Sequence, residues 1–270
     1  MKNQIYNLSD SAVVNISNSS EGNQLKWKKN NYWFKADING VESLSEIICS
    51  RLAHQLNFPY QIADYYPCEI IYNQKKYRGC YSFDFAVKPL ITLNKLYFRL
   101  TMHNIYDDVL SREISAEQRI GEVFDILHKA PQSADLCRYV SSVIVYDEII
   151  LNTDRHAHNI LFYIDESTGL IEPAPLFDNG EALLSNLEKY EGTDIKRYCY
   201  NVKSKPFSRS FKTQTMAVRK YYDVKYSLDN LNYEKLYEGL EDYYTKDEIF
   251  RALKILQFQV SRLQERSVDW

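Results

Sequence analysis

The pattern of apolar residues changes once along the chain, near residue 90, and this change limits the folds that are open to it. Before it, short aromatic and β-branched stretches alternate with polar turns, and one segment, 43–55, carries apolar residues at helical spacing. After it, most predicted elements are helices, at 116–129, 134–151, 207–222, 233–244 and 247–266. A small strand-rich part followed by a larger helical part predicts an α+β fold with a cleft at the joint.

The joint falls near residues 82–89, and we therefore predict a two-lobed fold with an N-lobe of residues 1–86 and a C-lobe of residues 87–270. The predicted strands lie around Trp27 and at 32–35, 60–63, 68–72, 76–83, 160–164 and 170–172. The helix at 134–151 is the most apolar one, and we expect it to be buried at the centre of the C-lobe.

The charge and the cysteine content argue against several classes of function. A formal net charge of −3 and a pI of about 6.0 disfavour a broad nucleic-acid-binding surface. No stretch approaches the roughly 18 apolar residues of a membrane span, and the first residues do not resemble a signal peptide.

The five cysteines form no C-x-x-C pair, which argues against zinc; Cys68 and Cys80 could meet across a hairpin, but free thiols are favoured. We therefore expect a cytoplasmic protein.

Two short motifs carry the residues that can do chemistry. The motif Asn-Thr-Asp-Arg-His-Ala-His-Asn follows the long apolar helix and contains Asp154 and Asn159, which can point into the same space. The motif Pro-Leu-Phe-Asp-Asn-Gly follows a short predicted strand and supplies Asp178, and we expect Gly180 to allow a sharp turn there. Carboxylate and amide oxygens suit a hard cation such as Mg²⁺, while Asp154 could orient or deprotonate a hydroxyl.

These motifs resemble a known family. Asp-Arg-His-x-x-Asn followed by Phe-Asp-x-Gly resembles the signature of the HipA-like serine/threonine kinases and is similar to that of the phosphoinositide kinases. Residues 19–26, Ser-Ser-Glu-Gly-Asn-Gln-Leu-Lys, resemble the family's phosphate loop, Ser-x-x-Gly-x-Gln-x-Lys, although they hold a single glycine. Lys35 matches the nucleotide-binding lysine, and Glu46 matches the helix glutamate that pairs with it. The resemblance covers residues 19–180, so the chain looks like a minimal kinase core.

The resemblance implies an ATP- and Mg²⁺-dependent kinase. In it Asp154 is the catalytic base, and Asn159 and Asp178 bind the magnesium ion. The implied nucleotide contacts are Ser19, Gly22, Gln24, Lys26, Lys35, Glu46 and, at the hinge, Phe85. The acceptor implied is a Ser or Thr hydroxyl on a protein. Some members of the family are the toxin of a toxin–antitoxin pair with an antitoxin as partner, and the resemblance extends to autophosphorylation of the phosphate loop, here at Ser19.

Plainer interpretations of the same residues stay open at this point. Ser43 and Glu46 fit a capping box, so Glu46 could simply begin its helix. Lys35 could be a solvated lysine on an alternating strand, and residues 19–26 could be an ordinary hairpin loop.

The function also has alternatives. The same phosphate chemistry would serve a lipid kinase or a small-molecule kinase, although the acidic balance disfavours a lipid surface. A pseudokinase scaffold would bind nucleotide without turnover. His156 and His158 could contribute to a zinc site, but a packing role in the loop is favoured, because no third His or Cys lies close in sequence.

Overall fold

The computed structural model describes residues 4–14, 24–130, 133–192 and 194–266, and its first third forms a five-stranded sheet with strand order β1-β4-β5-β3-β2. The strands are β1 (Ile5–Asn7), β2 (Lys26–Lys29), β3 (Tyr32–Ala36), β4 (Tyr65–Tyr72) and β5 (Lys75–Phe83). β1 pairs parallel to β4, and the other pairs are antiparallel. Asn30 and Asn73 have positive φ angles in the two hairpin turns, a conformation that asparagine tolerates well.

One helix, α1 (Glu42–Gln55), covers one face of this sheet. Its apolar residues Leu44, Ile47, Ile48 and Leu52 are fully buried, as the helical spacing predicts. The other face carries a smaller apolar cluster of Leu8, Trp27, Phe34, Ala36, Cys68 and Ile70.

The strand register settles the question of the two hairpin cysteines. Cys68 lies opposite Gly79, and Cys80 lies opposite Pro67. Because side chains alternate between the faces of a sheet, the two thiols are on opposite faces, Cys80 in the core beneath α1 and Cys68 in the smaller cluster. All five cysteines of the chain are buried free thiols.

The rest of the chain is mainly helical around a small antiparallel sheet of β6 (Leu90–Thr92), β7 (Leu161–Ile164) and β8 (Ile171–Pro173). The helices are α2 (Leu93–Thr101), α3 (Ala116–Leu127), α4 (Ser133–Ile150), α5 (Ile195–Asn201), α6 (Phe211–Arg219), α7 (Tyr233–Tyr237) and α8 (Lys246–Gln264), with a π-helical turn at Tyr106–Leu110 and a 3₁₀ turn at Ala157–Asn159. Within the described ranges, no helix combines the length and the apolar character that crossing a bilayer requires.

The position of α4 determines where the first motif lies. This helix packs against α3, α6 and α8, and its residues Leu136, Val140, Val143, Ile144 and Ile150 are buried, in agreement with the prediction of a central helix. Leu151 then takes a left-handed conformation (φ 54°), which ends the helix, and the motif follows directly from this buried helix end.

Some predicted elements differ from the structure. The predicted strand at 60–63 is wrong: this segment makes only one isolated parallel bridge, from Ile62 to Leu176. The helices predicted at 207–222 and 233–244 are shorter, since α6 begins after the cap residue Ser210 and α7 ends before Gly239, which has a φ of 72°. A strand-rich part with one helix, followed by a larger helical part, nevertheless confirms the predicted α+β two-lobed fold class.

Candidate active site

The loop after α4 is closed by its own hydrogen bonds. The Asp154 backbone N–H donates to the side-chain oxygen of Asn152 (3.1 Å), and the Nδ2 of Asn159 donates to the backbone oxygen of Asp154 (3.1 Å). The side-chain nitrogen of Asn159 is thereby engaged in a hydrogen bond, and its Oδ1 is the atom that can coordinate a cation. About a quarter of the Asp154 side chain (27%) is exposed, so a hydroxyl from solvent or from another molecule can reach it.

Arg155 joins this loop to the second motif, a role that sequence motifs alone do not reveal. Its guanidinium is fully buried and paired with the equally buried Asp147 of α4 (Nε–Oδ2 3.0 Å). It also donates to the backbone oxygens of Phe177 (2.6 Å) and Asn159 (3.2 Å) and to Oδ1 of Asn179 (2.6 Å). Burial raises the pKa of Asp147 even with this partner beside it. A buried charge needs such pairing, and here it fixes the two loops relative to each other.

Asp178 is the strained residue of the second motif. Its φ is 58°, in the left-handed region, whereas Gly180 does not have a positive φ, so the turn expected at Gly180 is made at Asp178 instead. Its Oδ1 lies 2.6 Å from the Nζ of Lys35 and 3.5 Å from the Nζ of Lys26. Burial raises the pKa of this carboxyl, but the two ammonium groups outweigh burial and hold the pKa well below its usual range. Asp178 is therefore ionised.

Lys35 and Glu46 form a buried ion pair between β3 and α1. The Nζ of Lys35 contacts one carboxylate oxygen of Glu46, and the other oxygen accepts the backbone N–H of Asn179 (2.7 Å). Glu46 is fully buried and Lys35 is 7% exposed, which rules out the solvated lysine. Glu46 does not cap α1 either, because the helix begins after Val41 and has no side-chain capping bond.

These groups surround a cavity of about 710 Å³ between the two parts of the chain. Its polar lining includes Lys26, Lys35, Asn159 and Asp178. Its apolar lining includes Phe85, Leu90, Leu161 and Phe177, and the rings of Phe85 and Phe177 meet edge to face at 5.6 Å. The cavity thus combines an apolar wall with cations and oxygen ligands, as a site for a small organic anion does.

The residues expected to form the phosphate loop are only partly within the described chain. Ser19 and Gly22 lie outside the described residues. Gln24 is half-buried, and its Nε2 is buried without a hydrogen-bond partner in the part of the chain that the structure describes. An unsatisfied buried donor just before β2 fits an anionic partner such as phosphate. The oxygen donors of Asn159 and Asp178 likewise fit Mg²⁺.

The two histidines pack within the first loop. Their rings meet edge to face with centroids 5.6 Å apart, and His158 stacks on Tyr106 at the cavity wall. The Nε2 of His156 lies 3.6 Å from Oδ2 of Asp154, and burial lowers the pKa of His156. His156 is therefore neutral at pH 7.

Comparisons with known proteins find similarity in structure. No protein-family model matches the chain, and no curated protein matches it in sequence. The structure is similar to that of CtkA, a proinflammatory kinase of Helicobacter pylori, with a TM-score of 0.59, 15% identity and 95% of each chain covered. It is also similar to HipA of Shewanella oneidensis MR-1, in a complex with HipB and operator DNA, with a TM-score of 0.52, 14% identity, and 92% of this chain but 64% of that chain covered. The chain therefore shares the fold of these two proteins.

Proposed function

We propose that the chain is an ATP- and Mg²⁺-dependent serine/threonine protein kinase of the HipA-like type. The observation that carries this proposal is the convergence of Lys35, Asn159 and Asp178, from three separate segments, on one cavity, with Glu46 paired to Lys35 behind it. A cavity of about 710 Å³ is large enough for a nucleotide. The fold shared with CtkA and HipA supports the same conclusion.

In the proposed complex, ATP lies between the N-lobe (1–86) and the C-lobe (87–270). The adenine packs against the apolar wall near Phe85, and Lys35 binds the α- and β-phosphates while Glu46 orients it. The loop residues Ser19, Gly22, Gln24 and Lys26 cover the phosphates. Asn159 and Asp178 would hold Mg²⁺, which supplies charge neutralisation at the β- and γ-phosphate oxygens when bound.

Asp154 is the proposed base for the acceptor hydroxyl. The hydroxyl oxygen forms a bond to the γ-phosphorus, the bond from the γ-phosphorus to the β,γ-bridging oxygen breaks, the hydroxyl proton passes to the Asp154 carboxylate, and ADP leaves. The partial exposure of this side chain supports the role, since an acceptor from another protein can reach it. Asp147 of α4, by contrast, is fully buried and bound by Arg155.

The acceptor and the partner are further parts of the proposal. A Ser or Thr hydroxyl on a protein, including Ser19 of this chain, is the proposed acceptor. The similarity to HipA, which is bound to HipB in its structure, supports an antitoxin partner and a toxin role for this chain. The cytoplasm is the proposed location, because buried cysteines that are all free thiols are typical of a reducing compartment.

The experiment that tests this function incubates the full chain with γ-labelled ATP and Mg²⁺, alone and with dephosphorylated casein, and maps the labelled residues by mass spectrometry. We expect label on Ser or Thr. Asp154→Asn should lower single-turnover transfer about 10³-fold while ATP binding is retained, since a positioned base contributes roughly that much. Asp178→Ala should remove the Mg²⁺-dependent part of ATP binding.

Three outcomes would contradict the proposal. ATP binding without any transfer would identify a scaffold. Transfer to the headgroups of phosphatidylinositol vesicles, added in a parallel incubation, but not to protein would identify a lipid kinase. Full transfer by Asp154→Asn would remove this residue from the mechanism.

A further inference from the structure

Lys205 lies at the candidate active site although no sequence motif contains it. Its Nζ is 2.9 Å from Oδ1 of Asp154, across 51 residues of chain. It belongs to the segment between α5 and α6, residues 202–210, which follows both motifs in the sequence. The side chain is about half exposed (45%), so its charged end remains accessible from solvent.

The backbone of this segment is held in place by buried groups. The Ser204 hydroxyl donates to the backbone oxygen of Ser208 (2.7 Å), and the Ser204 N–H donates to the backbone oxygen of Arg209 (3.2 Å). The Nε2 of Gln214, a fully buried residue of α6, donates to the backbone oxygen of Lys205 itself (3.2 Å). The segment therefore presents Lys205 to Asp154 from a fixed position, and these bonds do not involve the lysine side chain.

Within the described parts of the chain, Lys205 provides the positive charge that stands next to Asp154. Among the described residues, the other group within ion-pair distance of Asp154 is His156, and burial lowers its pKa. Arg155 is directed away, toward Asp147 and Asn179. Glu181, whose pKa is raised by burial first and then by the charge of Asp154, is a further acidic group near this corner.

We propose that Lys205 bridges the Asp154 carboxylate and the γ-phosphoryl group during transfer, and so acts as a catalytic residue. This inference rests on the proposed kinase function. A carboxylate base and a phosphoryl group must both approach one hydroxyl, and their like charges oppose this. A flexible ammonium group between them removes the repulsion and follows the transferred oxygens. Lys205 keeps its proton throughout, because the hydroxyl proton goes to Asp154.

The opposite role is a latch, in which Lys205 blocks Asp154 until an acceptor displaces it. The two roles differ in the sign of their effect on turnover. Removing a bridging cation slows transfer, whereas removing a latch speeds it. The sign of the change therefore decides between them.

The test compares Lys205→Ala and Lys205→Arg with the wild-type chain, with γ-labelled ATP, Mg²⁺ and dephosphorylated casein as probes. We expect kcat of Lys205→Ala to fall roughly 10²-fold, the loss typical when one preorganised donor is removed, with KM for ATP changed by less than about threefold. Lys205→Arg retains the charge and should stay within about tenfold of wild type. Lys203→Ala is the matched control: an exposed lysine of the same segment, expected to leave kcat unchanged.

Other results would overturn the inference. They are an unchanged or higher kcat for Lys205→Ala, an effect on KM alone, or equal losses in the Ala and Arg variants. Melting temperature and Mg²⁺-dependent ATP binding, measured on each variant, separate a loss of catalysis from a loss of folding. If the wild-type chain transfers phosphate and Asp154→Asn does not, a fully active Lys205→Ala overturns only the role of Lys205. If the wild-type chain transfers nothing, the proposed function fails and this inference fails with it.

Discussion

At the scale of single residues, Arg155 explains why two loops that are distant in sequence keep a fixed position relative to each other. Its planar guanidinium carries five N–H donors, and they reach a carboxylate, two backbone oxygens and a side-chain amide at once. A lysine ammonium is a point charge with three donors and cannot match this fork. The function of residue 155 thus requires the geometry of an arginine side chain as well as its charge.

We predict that Arg155→Lys lowers the free energy of unfolding by about 3 kcal/mol, because several buried acceptors, including those of Asn179 and Phe177, lose their donor. Urea denaturation of the two proteins measures this difference. Arg112→Lys is the control: Arg112 is about half exposed (47%) and its pair with Glu122 lies at the surface, so its change should stay within about 0.5 kcal/mol. Equal effects at the two positions would show that the buried network does not stabilise the loops.

The residue scale also shows what sequence can predict about the site. Lys35, Glu46 and Asp178 were selected from motif order, and the structure brings them into contact, although their roles stay predictions. Lys205 lies outside every motif, and Arg155, although it is part of the first motif, could not be assigned its partners in this way. Their partners are set by tertiary structure, and a lone basic residue in a sequence does not indicate which distant carboxylate it meets.

At the scale of elements, the turn before α1 is joined directly to the segment that follows Asp178. Val41 N–H donates to the backbone oxygen of Ser185 (3.0 Å), and Leu187 N–H donates to that of Asn39 (3.1 Å). Gly40 lies between these bonds, in an isolated bridge with Asn186. This contact ties the helix that carries Glu46 to the segment that follows the second motif.

Gly40 has no room for a side chain, and we predict that Gly40→Ala destabilises the fold by about 3 kcal/mol. An added Cβ would lie 2.0 Å from the backbone oxygen of Ser185 and 2.7 Å from the backbone nitrogen of Leu187, and neither atom can move alone. Gly121→Ala is the control, since its Cβ would meet only the hydroxyl end of the Tyr221 side chain (2.6 Å). Melting temperatures of both variants measure the difference, and a similar small change in both would contradict the prediction.

The sequence predicts the bounds of a helix well where its apolar periodicity is long. It predicts them poorly where a local capping residue sets the end of the helix. α4 and α8 match their predicted ranges closely, because each buries a continuous apolar face. α6 and α7 were predicted too long, since the periodicity does not reveal the cap at Ser210 or the left-handed Gly239. The segment 60–63 has strand-like residues but pairs with the chain only at Ile62.

At the scale of the whole molecule, the order of strand-rich and helical parts was enough to predict the fold class, whereas the contacts between the parts were not predictable. One such contact joins the first sheet to the start of α8. Arg78 of β5 binds Glu248 (2.8 Å), which also forms the capping box of α8 with Thr245. Beside it, Asp37 accepts the backbone N–H of Ser43 (2.7 Å) and the hydroxyl of Tyr244 (3.2 Å).

This contact makes the stability of the whole fold depend on pH. The pKa of Asp37 is raised from its ordinary value of 3.8 to about 7. Burial is the largest cause and neighbouring Glu42 adds to it, while hydrogen bonds from Ser43 and the charge of Arg78 act in the opposite direction. Between pH 4 and pH 7 the folded chain holds this proton and the unfolded chain has lost it. The stability that protonated Asp37 adds to the fold is therefore fully present below about pH 4 and is lost as the pH rises through 7. The total loss is about 4 kcal/mol of unfolding free energy.

We predict that Asp37→Asn removes this dependence, because the amide has no proton to lose and its oxygen can still accept the Ser43 N–H. From pH 5 to pH 8 the free energy of unfolding of the wild type should fall by about 2–3 kcal/mol relative to that of the variant, because this part of the Asp37 titration lies between these two pH values. Urea denaturation of both proteins at both pH values gives the difference, and titrations shared by the two chains cancel in it. If the two proteins differ in unfolding free energy by the same amount at pH 5 and at pH 8, the prediction is wrong. Asp37 would then be ionised at pH 5 already, in its position between β3, α1 and the start of α8.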